Sequence, residues 1–322
     1  MKFLQFTIRA IISFMTLHLL VVYAEPGRLK VAFFGIDWVF WFLSLVLAVL
    51  AFAISCLKWR MLLLSDGHGC AFSTLSGFYL MGYFFNNFLP TSVGGDAARM
   101  FLAGKECGNY RVGVNSVLAD RFSGLLALVL VGLCGIFLAP LIIGQTFTAL
   151  FAGCGIFLWL LLLVPLVYAP ARLALADLNG RGRVLSWLFG VVHGTLHYFT
   201  RRGLFVQLAW TSLVYQLLTV ATYLAAAKAL HMDVTLAQML AIVPVVALLT
   251  LIPVSLNGLG VREGGFAYFL SRAGVPEADA IALSLLVYAI SLAFSIAGAV
   301  VLTFYRKRSD LSGLWSSGEG ES

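Results

Sequence analysis

The sequence contains two related ten-residue stretches, PTSVGGDAAR at residues 90–99 and PVSLNGLGVR at residues 253–262. Pro, Ser, Gly and Arg occupy the same positions in both stretches, and each stretch follows an apolar run. Each therefore places an arginine among segments hydrophobic enough to lie in a membrane. A charge at mid-membrane costs about 2.5–3.5 kcal/mol on insertion scales and usually serves a function. The repeat thus favours a transporter-like fold in which a polar site is built twice.

The composition is that of an integral membrane protein. Of the 322 residues, 61% are hydrophobic and only 11% are charged, whereas soluble domains carry about 25% charged residues. Apolar runs alternate with short polar connections, so we predict one membrane domain at residues 1–308 and a disordered cytoplasmic tail at 309–322. The formal charge of +7 is interpreted as contact with anionic lipid headgroups, and no nucleic-acid partner is expected.

The lengths of the apolar runs predict an all-α protein with six spanning helices. These spans are about 6–24, 36–57, 112–139, 146–169, 204–230 and 278–304. Two further runs, 73–88 and 237–252, reach only about 24 Å as helices, against a hydrocarbon core of about 30 Å. Each is followed by Asn, Pro and Gly, which break a helix. We therefore predict two re-entrant helical hairpins, at about 71–104 and 235–272.

The distribution of lysine and arginine supports this topology. With a cytoplasmic N-terminus and two hairpins that do not cross the membrane, only Arg28, Lys30 and Arg272 face the outside. The other basic residues of the connecting segments, Lys58 among them, face the cytoplasm, as the positive-inside rule requires. The hairpins then open to opposite sides, which makes the two halves an inverted repeat and leaves both termini in the cytoplasm.

The halves of this predicted inverted repeat are about 1–140 and 146–305. The first span also resembles a cleavable signal peptide that ends before Glu25, and both interpretations leave residue 25 outside. Residues 183–200 combine apolar residues at helical spacing with flanking basic residues. This pattern predicts a helix lying on the cytoplasmic surface of the membrane.

The first hairpin holds the strongest candidates for a binding site. Pro90 is expected to end the entering helix, and the glycines that follow it free the backbone for a turn. Asp96 is placed to cap a short helix at 97–103, whose N-terminus would attract an anion such as a phosphate. Arg99 adds a full positive charge one turn later. The alternative is that Asp96 and Arg99 simply neutralise each other within one turn.

The second hairpin repeats the pattern with different polar residues. Ser255, Asn257 and Gly258 lead into a helix that bears Arg262 and Glu263. Whether the serine and asparagine side chains bind a ligand or only shape the turn is left open.

Asp120 and Arg121 lie about 12 Å into the third span by helical rise. Adjacent positions on a helix point about 100° apart, so the two side chains do not simply pair with each other. Two interpretations stay open. One side chain faces the cavity and meets a charge of a hairpin, or the charges form an ion pair that packs one span against another.

No motif in the sequence points to a metal, a nucleotide or an enzyme. The five cysteines are odd in number and lack metal-ligand spacing, so neither a disulfide nor a metal site is predicted. His193 and His197 lie one helical turn apart without a third ligand nearby and are interpreted as interfacial residues. The P-loop, nucleophile-elbow and zinc-protease motifs are absent. We therefore expect no cofactor and no enzymatic activity.

These motifs resemble the lysylphosphatidylglycerol synthetase transmembrane-region family, from about residue 8 to 305. The resemblance rests on Asn87-x-x-Pro90-x-x-x-Gly94-Gly95-Asp96-x-x-Arg99, on Asp120-Arg121, and on Pro253-x-Ser255-x-Asn257-Gly258-x-Gly260-x-Arg262-Glu263. In the bacterial multiple peptide resistance factor, this region moves an aminoacylated phospholipid between leaflets, and a separate soluble domain makes that lipid. No such soluble domain is recognised in this sequence. The resemblance therefore implies a flippase-like domain of the bacterial cytoplasmic (inner) membrane, without lipid aminoacylation.

The predicted function is movement of an anionic or modified (glyco)phospholipid between leaflets, down a gradient or coupled to protons. The expected partners are membrane lipids, and a homodimer or an envelope-lipid enzyme is considered as well. Two alternatives are kept: a membrane-embedded transferase with an aspartate of this set as base, and a non-transporting subunit that docks an enzyme through residues 183–200. The predicted substrate-binding residues are Asn87, Ser92, Gly94, Gly95, Asp96, Arg99, Asp120, Arg121, Ser255, Asn257, Gly258, Arg262 and Glu263, with Pro90 and Pro253 as structural residues.

Overall fold

The computed structural model describes residues 33–88, 94–173, 183–252 and 255–316, and positions 15, 22 and 27; side chains are described there except at 161–189, 256 and 306–316. In these parts of the chain every regular element is helical, which confirms the all-α prediction. The elements are α1 Trp38–Ser65, α2 Phe72–Phe88, α3 Gly94–Glu106, α4 Tyr110–Leu138, α5 Pro140–Ile143, α6 Gln145–Leu173, α7 Arg183–Thr200, α8 Arg202–Ala229, α9 Leu236–Thr250, a 3-10 turn Leu256–Gly258, α10 Val261–Ser271 and α11 Glu277–Ser316.

Four of these helices are long and apolar enough to cross a membrane. They are α1, α4, α8 and the Glu277–Tyr305 part of α11. They match the predicted spans 36–57, 112–139, 204–230 and 278–304 to within a few residues, except that α1 continues to Ser65. The predicted span 146–169 is also helical, as α6. The predicted first span, 6–24, lies outside the described residues, so the total of six spans stays a prediction.

Two predicted boundaries are corrected by the structure. The short helix expected at 97–103 is longer at both ends and begins at Gly94. At the other end of the chain, α11 continues to Ser316, so residues 309–316 of the tail predicted to be disordered are helical. The continuous apolar and basic sequence through residue 308 offers no helix-breaking residue at which α11 would stop before the tail.

The helices α2 and α3 lie antiparallel and form a helical unit that we call hairpin 1. At its mouth the Sγ atoms of Cys70 and Cys107 are 3.8 Å apart. Near its tip the Gly95 N–H donates to Asn86 Oδ1 at 2.8 Å. A Cβ atom on Gly95 would overlap the Gly82 carbonyl oxygen, so this close approach requires glycine. The 17 residues of α2 cover about 26 Å, less than the hydrocarbon core.

The helices α9 and α10 form the corresponding unit, hairpin 2, around the 3-10 turn. Asn257 and Gly258 adopt φ values of +47° and +75°, which asparagine and glycine tolerate better than other residues. Gly258 lies against Thr250, and Gly265 lies against Val246, so the two helices also run antiparallel. Both motif prolines, Pro90 and Pro253, lie outside the described residues. The placement of the two hairpins as re-entrant elements in a membrane stays a prediction.

The packing of the helices is reciprocal between the two halves. α1 packs on α8, α2 packs on α11, and α9 packs on α4. α3 packs on α4, just as α10 packs on α11. Each hairpin therefore contacts the long helix that follows it and the corresponding helix of the other half. This exchange of partners is what the predicted inverted repeat implies, and the repeat itself stays a prediction.

Helix α7 covers the predicted surface segment 183–200. Among its described side chains, Val191, Tyr198 and Phe199 are buried, whereas His193 and His197 are exposed. The Tyr198 hydroxyl donates to the carboxylate of Asp66, next to the end of α1. Burial, followed by this hydrogen bond, raises the pKa of Tyr198. The amphipathic helix is thus tied to the end of a spanning helix, and its position at the membrane surface stays a prediction.

Candidate functional site

Five charged side chains from α1, α3 and α4 meet beside hairpin 1. We call the group Lys58, Asp96, Arg99, Asp120 and Arg121 the charge network. Asp120 is its centre: Oδ2 accepts hydrogen bonds from Arg99 Nη2 at 3.0 Å and from the Tyr79 hydroxyl at 2.9 Å. Lys58 Nζ lies 3.0 Å from Oδ1 of the same carboxylate. The carboxylate therefore joins three helices, α1, α2 and α4, to the arginine of α3.

Arg99 is buried against two aromatic rings. Its side chain is only 2% exposed. The guanidinium carbon lies 3.7 Å from the centre of the Tyr79 ring and 4.4 Å from that of the Trp59 ring, which covers the cation with aromatic rings. Cation–π contacts of this desolvated kind contribute about 2 kcal/mol. With Nη2 on Asp120, the guanidinium contacts other charges of the network, and the predicted role of Arg99 in substrate binding stays a prediction.

Arg121 is the open cation of the network. Its Nε and Nη2 atoms each donate to Asp96 at 2.7 Å, one to each carboxylate oxygen. This paired geometry fixes the orientation of the guanidinium. Its side chain is nevertheless 51% exposed, and its Nη1 atom has no hydrogen-bond partner among the described residues. Arg121 therefore combines a fixed orientation with a free donor.

Asp96 has a different role from the predicted one. It was expected to cap a helix starting at residue 97, but α3 begins at Gly94, and Asp96 lies inside the first turn. Asn86 accepts the N–H of Gly95 instead. The expected pair with Arg99 exists at 3.5 Å, but the pair with Arg121 is much shorter. Asp96 thus serves mainly to hold Arg121.

The charges of the network do not balance. Three cations, Lys58, Arg99 and Arg121, face two carboxylates, so the formal charge of the group is +1. The side chains of Lys58, Arg99 and Asp120 are 2–4% exposed, and that of Asp96 is 14% exposed. Charges buried in apolar surroundings need partners to offset their lost hydration. An excess positive charge at a half-exposed arginine is suited to an anion.

Lys58 belongs to the charge network but was not among the predicted site residues. The predicted span ends at residue 57, which places Lys58 among the cytoplasmic charges, but α1 continues to Ser65, and the Lys58 side chain is 4% exposed. Its Nζ atom also donates to the Asp120 carbonyl oxygen at 3.0 Å and to Ser212 Oγ at 3.2 Å. The apolar residues 61–64, which follow Lys58 within a helical run, were the available signal that the helix continues.

Hairpin 2 carries a closed ion pair. Glu263 is fully buried, and its Oε1 accepts from Arg262 Nη2 at 2.7 Å and from the Ser284 hydroxyl at 3.0 Å. Its Oε2 accepts from the Gly260 N–H at 2.6 Å, which satisfies the start of α10. The guanidinium of Arg262 lies 4.6 Å from the centre of the Tyr288 ring. The formal charge of this pair is zero.

The two predicted motifs meet through their asparagines. Asn257 Nδ2 of hairpin 2 donates to Asn87 Oδ1 of hairpin 1. Asn87 Nδ2 in turn donates to the hydroxyl of Ser295 on α11, which donates to the Tyr83 carbonyl oxygen at 3.0 Å. We call the Asn87–Asn257 contact the asparagine bridge. It fixes the tips of the two hairpins to each other.

The remaining predicted site residues have less distinct positions. Gly94 is buried at the start of α3, and Gly258 forms the turn of hairpin 2. Ser255 is buried, and its hydroxyl has no partner in the described ranges. Ser92 lies outside the described residues. The structure therefore brings together the charged residues of hairpin 1 and α4 at one place, and the polar residues of the tips at another.

Comparison with known proteins gives one match. The family model described as "Lysylphosphatidylglycerol synthase TM region" matches residues 7–299, which is most of the chain. No curated protein and no solved structure matches.

Proposed function

Since the chain belongs to the lysylphosphatidylglycerol synthase TM region family, we propose that it moves a phosphate-bearing lipid between the two leaflets of the membrane. The observation that carries this proposal is Arg121, a half-exposed cation that Asp96 holds in a network of formal charge +1. The family supports a lipid-related function in a membrane. The free donor of Arg121 supports recognition of the phosphate.

In the proposed mechanism, Arg121 contacts the phosphate and the rest of the network keeps it in place. The Nη1 atom of Arg121 donates to a phosphate oxygen, while Asp96 keeps the guanidinium oriented. Lys58 and Arg99 bind Asp120 from two sides and so fasten α4, which carries Arg121. A site fixed in this way loses little conformational entropy when the lipid headgroup binds.

Hairpin 2 supplies the second contact. Arg262 keeps 14% of its side chain exposed and carries no net charge together with Glu263. A neutral site binds an anion more weakly than the charge network does, which suits release. We propose that the headgroup passes between the two arginines beside the asparagine bridge while the acyl chains stay in the bilayer.

The proposal involves no chemical change of the lipid. A membrane-embedded transferase would use Asp96 or Asp120 as a general base. Each oxygen of both carboxylates lies within 3.0 Å of a cation of the network, which leaves no oxygen free to take a proton from a substrate. This arrangement supports transport over base catalysis.

The test is the rate of leaflet exchange of acyl-labelled phosphatidylglycerol in proteoliposomes that contain the purified chain. We expect Arg121→Gln to lower the protein-dependent rate by about tenfold or more, because a hydrogen bond to a charged group contributes about 1.5–3 kcal/mol. Arg121→Lys should retain part of the rate, since it keeps the charge.

The matched control is Arg272→Gln, which removes an exposed arginine from the end of hairpin 2. It should leave the rate close to that of the wild type. Wild-type rates no higher than those of protein-free vesicles would rule out the proposed function. Equal rates for Arg121→Gln and the wild type would rule out the role of Arg121.

A further inference from the structure

Four tyrosines lie between Arg121 of the charge network and Arg262 of hairpin 2. They are Tyr83 of α2, Tyr215 and Tyr223 of α8, and Tyr288 of α11, and all are half-buried. We call them the tyrosine row. In the described parts of the chain, none of their hydroxyl groups has a hydrogen-bond partner, and none is fully enclosed. Since a buried tyrosine hydroxyl usually has a partner, these four are available to a polar ligand.

One end of the row lies at the charge network. Tyr83 lies within electrostatic range of Arg121. Its ring centre is 5.5 Å from that of Phe294 on α11 and 6.4 Å from that of Phe52 on α1. Helices α1, α4 and α11 thus border Tyr83, so its hydroxyl lies inside the helix bundle and near the cation proposed to bind phosphate.

The other end of the row lies at hairpin 2. Tyr223 lies within electrostatic range of Arg262 and Glu263, and its ring stacks on Phe266 of α10 with 4.9 Å between the ring centres. The Tyr288 ring lies beneath the Arg262 guanidinium at 4.6 Å. Both rings are therefore fixed by packing, while their hydroxyl groups stay free.

Tyr215 connects the two ends. It lies within electrostatic range of Tyr83 on one side and of Tyr223 on the other. Tyr215 and Tyr223 are separated by two turns of α8, which is about 12 Å along the helix axis. A lipid phosphate at Arg121 can therefore place the part of the headgroup beyond the phosphate along these hydroxyl groups.

From this arrangement we infer that the lipid carries a polyhydroxylated headgroup, a sugar ring or glycerol, whose hydroxyl groups bind the tyrosine row. The inference rests on the proposed function, since it takes the phosphate at Arg121 as its starting point. A tyrosine hydroxyl both donates and accepts hydrogen bonds, as the hydroxyl groups of a polyol do.

An ammonium headgroup matches the row less well. An ammonium group only donates hydrogen bonds, and in a desolvated site it needs a counter-charge. The carboxylates of the charge network and of hairpin 2 are already paired with cations, and these are Asp96, Asp120 and Glu263. The free groups along the row are neutral hydroxyls, which suit a neutral polyol.

The test is equilibrium binding of acyl-labelled lipids to the purified full chain in detergent micelles. Phosphatidylinositol, phosphatidylglycerol and phosphatidylmethanol each carry a single negative charge, but the headgroup has many hydroxyls in the first, fewer in the second and none in the third. We expect phosphatidylinositol to bind about tenfold more tightly than phosphatidylmethanol, because a site that pairs with ligand hydroxyls rejects a ligand that lacks them. Phosphatidylglycerol binding as tightly as phosphatidylinositol would identify glycerol as sufficient, and weaker binding would identify a ring.

Single hydroxyl groups can be removed without removing the rings. Tyr83→Phe and Tyr215→Phe should each lower the affinity for phosphatidylinositol several-fold, and the double variant should abolish the preference over phosphatidylmethanol. Thermal stability should not fall, because these hydroxyls have no partner among the described residues. The matched control is Tyr110→Phe, which removes an exposed hydroxyl at the start of α4 and should retain the preference.

The outcomes separate this inference from the proposed function. Equal affinity of the wild type for phosphatidylinositol and phosphatidylmethanol would overturn the inference, as would a double variant that keeps the preference. If Arg121→Gln then still weakens the binding of both lipids, the phosphate site of the proposed function stands without the tyrosine row. Failure of the wild type to bind any of the three lipids would overturn both.

Discussion

Hairpin 1 and hairpin 2 carry arginines at matching positions of the repeat, but the surroundings of the two arginines differ. Arg99 is sealed between two aromatic rings and lies in a five-membered network of formal charge +1. Arg262 forms a neutral pair with the adjacent glutamate, Glu263. The open cation of the molecule's charge network is neither of them but Arg121, on the helix after hairpin 1. Matching sequence positions therefore place the two arginines in different electrostatic surroundings.

The surroundings of the two arginines differ because residues at matching positions of the two halves are not the same. The same 163 residues that separate Pro90 from Pro253 lead from Arg121 to Ser284 and from Asp96 to Leu259. The second half of the chain thus lacks both members of the Asp96–Arg121 pair. Ser284, at the position that corresponds to Arg121, instead contacts Glu263 and Arg262 at 3.0 Å.

Removal of the central carboxylate of the charge network should cause the largest loss in the free energy of unfolding. Asp120→Asn leaves Lys58 buried without its counter-charge and Arg99 with only the longer pair to Asp96, and breaking a buried ion pair costs about 3–5 kcal/mol. Glu263→Gln should cost less, about 1–3 kcal/mol, because one cation loses its partner and glutamine can still accept from Gly260. Thermal unfolding of both variants in the same detergent measures the difference. Equal losses would show that the two ion-pair sites are energetically equivalent.

A methyl group at the closest helix contact should have the next largest effect. The Cβ of Gly95→Ala would overlap the Gly82 carbonyl oxygen and the Asn86 side chain in hairpin 1, and overpacking of this kind costs about 1–3 kcal/mol. At Gly264 of hairpin 2, by contrast, an added Cβ would have no atom within 4 Å. Gly264→Ala should therefore stabilise the protein slightly, by about 0.5–1 kcal/mol, because α10 gains helix propensity. Opposite signs in the unfolding midpoints are expected, and a tolerated Gly95→Ala would contradict the close packing of α2 on α3.

The sequence allowed the hairpins to be predicted more reliably than their side-chain contacts. The lengths of the apolar runs and the Asn-Pro-Gly clusters depend on local chemistry, and α2 and α9 match the predicted runs to within two residues. The charged residues of hairpin 1 were recognised because charges in an apolar context are rare. The pairing of these charges could not be predicted, because it depends on how α3 and α4 are rotated against each other.

Lys58 and its aromatic neighbours show the limit of hydropathy. A lysine near the end of an apolar run is normally assigned to water, and only contact with Asp120 of a distant helix makes its burial favourable. Trp59 and Tyr79 carry no signal, since aromatic residues are frequent throughout this chain. Their role against Arg99 depends on three helices meeting at one place. Residues of this kind can be found only after the packing of the helices is known.

The asparagine bridge, where the two hairpins meet, should give the smallest effect. Asn257→Gly removes the side chain that donates to Asn87 and keeps the left-handed backbone, so it should cost about 0.5–1.5 kcal/mol for one hydrogen bond. Asn257→Ala removes the same bond and adds about 1 kcal/mol, because alanine is disfavoured at φ +47°. Thermal unfolding of the two variants therefore separates the bridge from the turn. If alanine is tolerated as well as glycine, the stability of hairpin 2 does not depend on this turn geometry.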